Sequence, residues 1–61
     1  MPIVHVELWP GRTEPQKRDL AKAIKDAVVR IAGTTPEATY VIFTDVEKGN
    51  WAQAGKLATD P

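Results

Sequence analysis

Apolar and polar positions alternate at the head of the chain: Val4, Val6 and Leu8 share one face, and Ile3, His5 and Glu7 the other. A period of two carried by β-branched residues predicts a strand over Ile3 to Leu8. Pro10 and Gly11 end it, because proline cannot donate to a ladder and glycine accepts a sharp turn. The period then changes. Leu20, Ile24, Ala27, Val28 and Ile31 recur at steps of three and four, widened by Ala21 and Ala32, and predict an amphipathic helix running to about Ala32. Thr13-Glu14-Pro15-Gln16 starts that helix: Thr13 caps it, Gln16 holds the reciprocal position of a capping box, and Pro15 falls in the first turn, where no N–H is needed. Gly33 stops it with a left-handed cap. Lys22, Asp26 and Arg30 lie across from the stripe as two i,i+4 pairs, worth about 0.2–0.5 kcal/mol each. Thr35 to Ala38 predicts a short turn capped by Thr35, and Thr39 to Val46 a second strand. The centre of that strand, Val41-Ile42-Phe43, is apolar on both faces and suits a strand covered on both sides. Glu47 to Asn50 turns the chain toward Trp51, and Ala52 to Pro61 forms a short hairpin or an arm reaching onto a neighbour.

The order strand, helix, strand implies a crossover, and crossovers join parallel strands with a right-handed connection. The expected fold class is α+β: one β-α-β domain over residues 1–61, a parallel strand pair with a single crossover helix. A domain this short buries only about 60% of the surface of its unfolded chain and is marginal alone. Cysteine is absent, so disulfides and thiolate metal sites are excluded, and the lone His5 argues against a zinc or iron centre. Assembly is what remains. Hydrophobic residues make up 43% of the chain, more than one helix over two strands can hide, so the sheet is expected to be completed in an oligomer. Eight basic and eight acidic residues give no net charge and no basic stripe for nucleic acid. No apolar run approaches the ~20 residues that span a bilayer, and no secretory pattern opens the chain. A cytoplasmic protein with no nucleic-acid or membrane partner is expected.

The chain has no serine or cysteine nucleophile, and its four scattered glycines make no phosphate cradle. Asp45 and Glu47 flank a strand end and read as solvated acids. Pro2 is the more informative residue. Methionine followed by proline is a context in which the initiator is removed, and removal of Met1 would turn the Pro2 nitrogen into a free secondary amine. Ordinary α-amino groups titrate near ~7.7–8.0 and burial lowers the pKa of a cationic acid, so such an amine could be a neutral base near neutral pH. Arg12, in the loop before the helix, is either a solvated arginine or a bidentate holder of a carboxylate. Trp51 is a pocket wall or a core anchor, and Tyr40 and Trp9 share that ambiguity. His5 is expected on the strand face away from the helix, packed inside an assembly rather than acting as a base.

Taken in order, these segments resemble the 4-oxalocrotonate tautomerase family over essentially the whole chain. The resemblance is carried by Met1-Pro2-Ile3-Val4, by Glu7-Leu8-Trp9-Pro10-Gly11-Arg12-Thr13 with Gln16-Lys17, by Val41-Ile42-Phe43-Thr44 to Gly49-Asn50-Trp51, and by Ala54-Gly55-Lys56-Leu57-Ala58. It implies β-α-β subunits whose dimers build a four-stranded sheet backed by two helices, three dimers forming a homohexamer. It also implies a cofactor-independent keto–enol tautomerase acting on small 2-oxo, 2-hydroxydienoate or enol carboxylates, as in aromatic-compound catabolism. In that reading Pro2 is the general base, Arg12 binds a substrate carboxylate and Trp51 walls the pocket. Tyr40 stands where the best-known members have a second arginine, which shifts the expectation from dicarboxylates toward simpler enol acids. The same fold also implies two alternatives. One is a cofactor-free dehalogenase, hydratase or decarboxylase with protonated Pro2 as acid; the other is a non-catalytic subunit of a hetero-oligomer.

Overall fold

Thr13 commits the chain to its one long helix by the expected reciprocal bonds. Its Oγ1 accepts the Gln16 N–H at 3.3 Å, and the Gln16 Oε1 accepts the Thr13 N–H at 2.9 Å. The computed structural model, describing residues 1–61, has β1 at Ile3–Leu8, α1 at Glu14–Ala32 and β2 at Tyr40–Asp45. A short hairpin follows, β3 at Ala52–Gln53 and β4 at Lys56–Leu57, with single 3₁₀ turns at Pro36–Ala38 and Lys48–Asn50. Gly33 closes α1 at φ 71°, ψ 31°, its N–H donating to the Val29 carbonyl. The left-handed region costs glycine little and any other residue more.

β1 and β2 are parallel, in the register Ile3↔Tyr40, Val4↔Val41, His5↔Ile42, Val6↔Phe43, Glu7↔Thr44 and Leu8↔Asp45. Side chains alternate across a strand, so the half-buried Val4, Val6, Leu8, Val41 and Phe43 share the face under α1. The other face carries Ile3, His5, Glu7, Tyr40, Ile42 and Thr44, all exposed. β2 is one residue shorter at each end than the pattern predicts. Thr39 Oγ1 donates to the Thr35 carbonyl, which spends Thr39 on the turn, while Val46 only closes the ladder by donating its N–H to the Leu8 carbonyl at 2.8 Å. Thr35 makes no side-chain cap to the turn it precedes.

Two expectations for α1 are corrected. Asp26 pairs with neither Lys22 nor Arg30; it accepts a 2.6 Å bond from Lys25, which competes directly for the same carboxylate. The apolar stripe also divides. Ala21, Ile24 and Val28 are half-buried with the stems of Lys17 and Lys25, whereas Leu20 and Ile31 are exposed, Ile31 by 74%. A helix on a two-stranded sheet has only a narrow floor beneath it, and the outer edge of a wide stripe overhangs. The tail forms a short hairpin, turned by Ala54 at φ 54° and Gly55 at φ 78°. Two positive φ values in a two-residue loop match the strand twist.

No residue of the chain is fully buried. Its accessible surface is 4742 Å², where a compact monomer of this mass exposes about 3,900 Å². The radius of gyration is 14.5 Å against about 10.5 Å for a compact chain of this length. The subunit is a thin plate, 44 × 25 × 14 Å. Its core is half a core, with the open sheet face and the outer stripe of α1 left for something else to cover.

Candidate active site

Pro2 stands just before β1 and is half-buried; its carbonyl accepts the Tyr40 N–H at 3.0 Å. That bond extends the ladder by one step and fixes the N-terminal residue beside the first residue of β2. Tyr40 lies on the open face, 48% exposed, and its phenol has no hydrogen-bond partner within the chain. While Met1 is attached, the Pro2 nitrogen is a tertiary amide with neither a proton nor basicity. Met1 itself is exposed and makes no ion pair.

Arg12 occupies the loop from β1 to α1, behind Gly11 at φ 120°, a value open to glycine alone among ordinary residues. It is exposed and pairs with no carboxylate of its own chain, so its planar fork is available to a planar anion. Trp51 follows the Lys48–Asn50 turn and is half-buried. Its ring meets Trp9 edge to face, centroids 5.9 Å apart at 74°. It also lines a hollow of about 260 Å³ under the hairpin, with Gln53, Lys56 and Leu57 among the other walls.

Parallel strands put both N-terminal ends together and both C-terminal ends together. Pro2 and Tyr40 therefore share one end of the sheet, while Arg12 and Trp51 belong to the other. A six-residue strand separates the pairs by about 20 Å at ~3.3 Å per residue. The structure joins Pro2 with Tyr40 and leaves both apart from Arg12 and Trp51. No single copy holds the four residues around one small molecule.

Asp45 is engaged by Lys17 at 3.1 Å, a link from β2 to the first turns of α1 that explains it structurally. Glu47 has no side-chain partner. His5 lies on the open face as expected, with Nε2 2.7 Å from Thr44 Oγ1. No three histidine or carboxylate side chains converge on a point where a metal ion could sit, and no helix is long and apolar enough to cross a membrane. On α1, the Lys25 hydrogen bond holds the Asp26 carboxyl below the usual carboxylate range. Lys48, absent from the sequence reading, sits with its ammonium 4.8 Å from the Trp9 ring centroid. Nothing in a Lys-Gly-Asn turn signals such a contact, because it depends on where two distant loops meet.

A family model described as tautomerase enzyme matches residues 2–60. The probable tautomerase RSp1151 of Ralstonia nicotianae is 42% identical over 57 residues, 93% of this chain and 88% of that protein. The 2-hydroxymuconate tautomerase of Bacillus subtilis is 37% identical over 60 residues, 98% of this chain and 97% of that protein. Among solved structures, YwhB, a homologue of 4-oxalocrotonate tautomerase, superposes with a TM-score of 0.93 at 35% identity, covering 98% of each chain. A 4-oxalocrotonate tautomerase isozyme of Methylibium petroleiphilum gives 0.86 at 35% identity, covering 93% of this chain and 92% of that one.

Proposed function

The chain belongs to the tautomerase family, and from that premise we propose that it is a cofactor-independent keto–enol tautomerase of small enol carboxylates with Pro2 as general base. The observation that carries the reading is the Tyr40 N–H bond to the Pro2 carbonyl at 3.0 Å. It supports a defined position for the residue whose nitrogen is released when Met1 is removed, at the same end of the sheet as Tyr40.

The steps follow from that arrangement. The neutral Pro2 nitrogen takes the proton of the substrate's enol hydroxyl. As the C–O bond becomes a carbonyl, the former double-bond electrons take a proton at carbon from the same nitrogen, which ends neutral. One proton leaves oxygen, one arrives at carbon, and nothing is oxidised. The Tyr40 hydroxyl donates to the oxygen while it carries negative charge, where a fixed donor acts most strongly. Arg12 of a second copy donates to the substrate carboxylate, and Trp51 of that copy closes the apolar wall. The separation of the two pairs along β1 supports a site shared between copies, as does the excess surface of the single chain. A homohexamer built as a trimer of dimers satisfies both.

The test is phenylenolpyruvate ketonisation by protein whose intact mass shows loss of Met1. Pro2→Ala keeps a terminal amine but changes its basicity and shape. It should lower kcat/KM by about 10²–10⁴-fold, the usual contribution of a positioned base. In the unaltered protein, activity should rise with pH through the titration of the terminal amine. Full turnover by Pro2→Ala, or by protein that retains Met1, would exclude this mechanism.

A further inference from the structure

We propose that Trp9 is a positioning residue that ties together the two segments carrying Arg12 and Trp51, so that the carboxylate-binding end of the site acts as one unit. The role rests on the reading of those two residues given above. The ladder between β1 and β2 closes with the Val46 N–H on the Leu8 carbonyl, and past that bond the two segments share no backbone hydrogen bond. The link beyond it is made by side chains. The Trp9 ring meets Trp51 edge to face, at 5.9 Å and 74°, and carries the Lys48 ammonium 4.8 Å from its centroid. Only Pro10 and Gly11 separate Trp9 from Arg12. Proline has one permitted φ and Gly11 sits at φ 120°, so the link is two residues long with its φ fixed at Pro10. Trp9 lies outside both strands and is 39% exposed, so its ring is not committed to the layer under α1.

A large aromatic held this way restrains Trp51 directly and Arg12 through the turn. Removing the ring should let the two move independently and weaken substrate binding. The Tyr40 N–H bond that fixes Pro2 lies at the other end of β1 and is untouched. The expected signature is a split: KM rises while kcat and its pH dependence stay.

Trp9→Ala should raise KM for phenylenolpyruvate about threefold to tenfold, the range set by one aromatic pair. Its kcat should stay within about twofold and its pH profile should not move. Trp9→Phe keeps an edge-to-face partner and should restore KM. Lys48→Met keeps the stem, loses the cation and should raise KM about twofold. A second readout needs no turnover: the indole N–H signal of Trp51 in a ¹H–¹⁵N spectrum should shift in Trp9→Ala and return in Trp9→Phe. Titration with 3-phenylpropanoate should weaken by the same factor as KM rises. An unmoved Trp51 signal overturns the tether whether or not the protein is a tautomerase, as does a matched fall in kcat with a displaced pH profile. If the unaltered protein does not turn over phenylenolpyruvate, the proposed activity fails, while the Trp51 signal still decides the role of Trp9. Should Trp9→Ala not fold, Trp9→Phe and Lys48→Met give the answer: normal Trp51 signal and KM in Lys48→Met, with loss in Trp9→Phe, would overturn it.

Discussion

At Tyr40 a phenol is exposed on the open sheet face, at the same end of the sheet as Pro2 and without a partner in its own chain. A neutral O–H donor contributes about half what a charged donor does, which is why the reading favours enol monocarboxylates over dicarboxylates. The corresponding prediction is a change of preference. Tyr40→Arg should raise kcat/KM for 2-hydroxymuconate relative to phenylenolpyruvate by about tenfold, the difference between a neutral and a charged hydrogen bond. Side-by-side assays of the two substrates check it, and an unchanged ratio would remove Tyr40 from the oxygen-binding role. Pro2 stood out by its type and its place behind Met1, whereas Arg12, Tyr40 and Trp51 became site candidates only through the family resemblance. Side-chain partners were not legible. Lys25 takes Asp26 from the expected i,i+4 pairs, and Lys48 finds Trp9, because side-chain pairing is settled by which of several reachable charges lies nearest.

Among the elements, the helix is the best determined from local sequence. Its start is a pair of reciprocal hydrogen bonds within four residues, and its end is a glycine at φ 71°. Thr13→Ala should therefore destabilise the protein by about 1 kcal/mol, the usual worth of an N-cap. Chemical denaturation would show a lower midpoint with an unchanged slope. The two strands were equally readable, since alternation and β-branching need only the chain's own period. The hairpin was not. Its strands are two residues each, too short for a pattern, and its turn places Ala54 at φ 54°, where asparagine or glycine is the ordinary choice. Nor was the division of the helical stripe, because the width of the floor beneath a helix depends on how many strands the sheet contains.

For the whole molecule, the governing fact is a surface about 800 Å² larger than a compact chain of this mass would have. Ile3 at 57% and Ile31 at 74% exposure mark the two uncovered regions, one on the open sheet face and one on the outer helix stripe. Stability that comes from covering them depends on concentration, so the melting temperature should rise with protein concentration. Ile3→Lys should lower it and shift the species seen in sedimentation toward smaller mass. A melting temperature independent of dilution would mean that the single chain is stable by itself. The sequence alone determined the order of the main elements, the parallel crossover and the helix limits, because period and caps act locally. Only the tertiary structure decided that Pro2 with Tyr40 and Arg12 with Trp51 stand at opposite ends of one sheet. That separation follows from two strands running the same way, and no residue type records how far apart its neighbours in a site will lie.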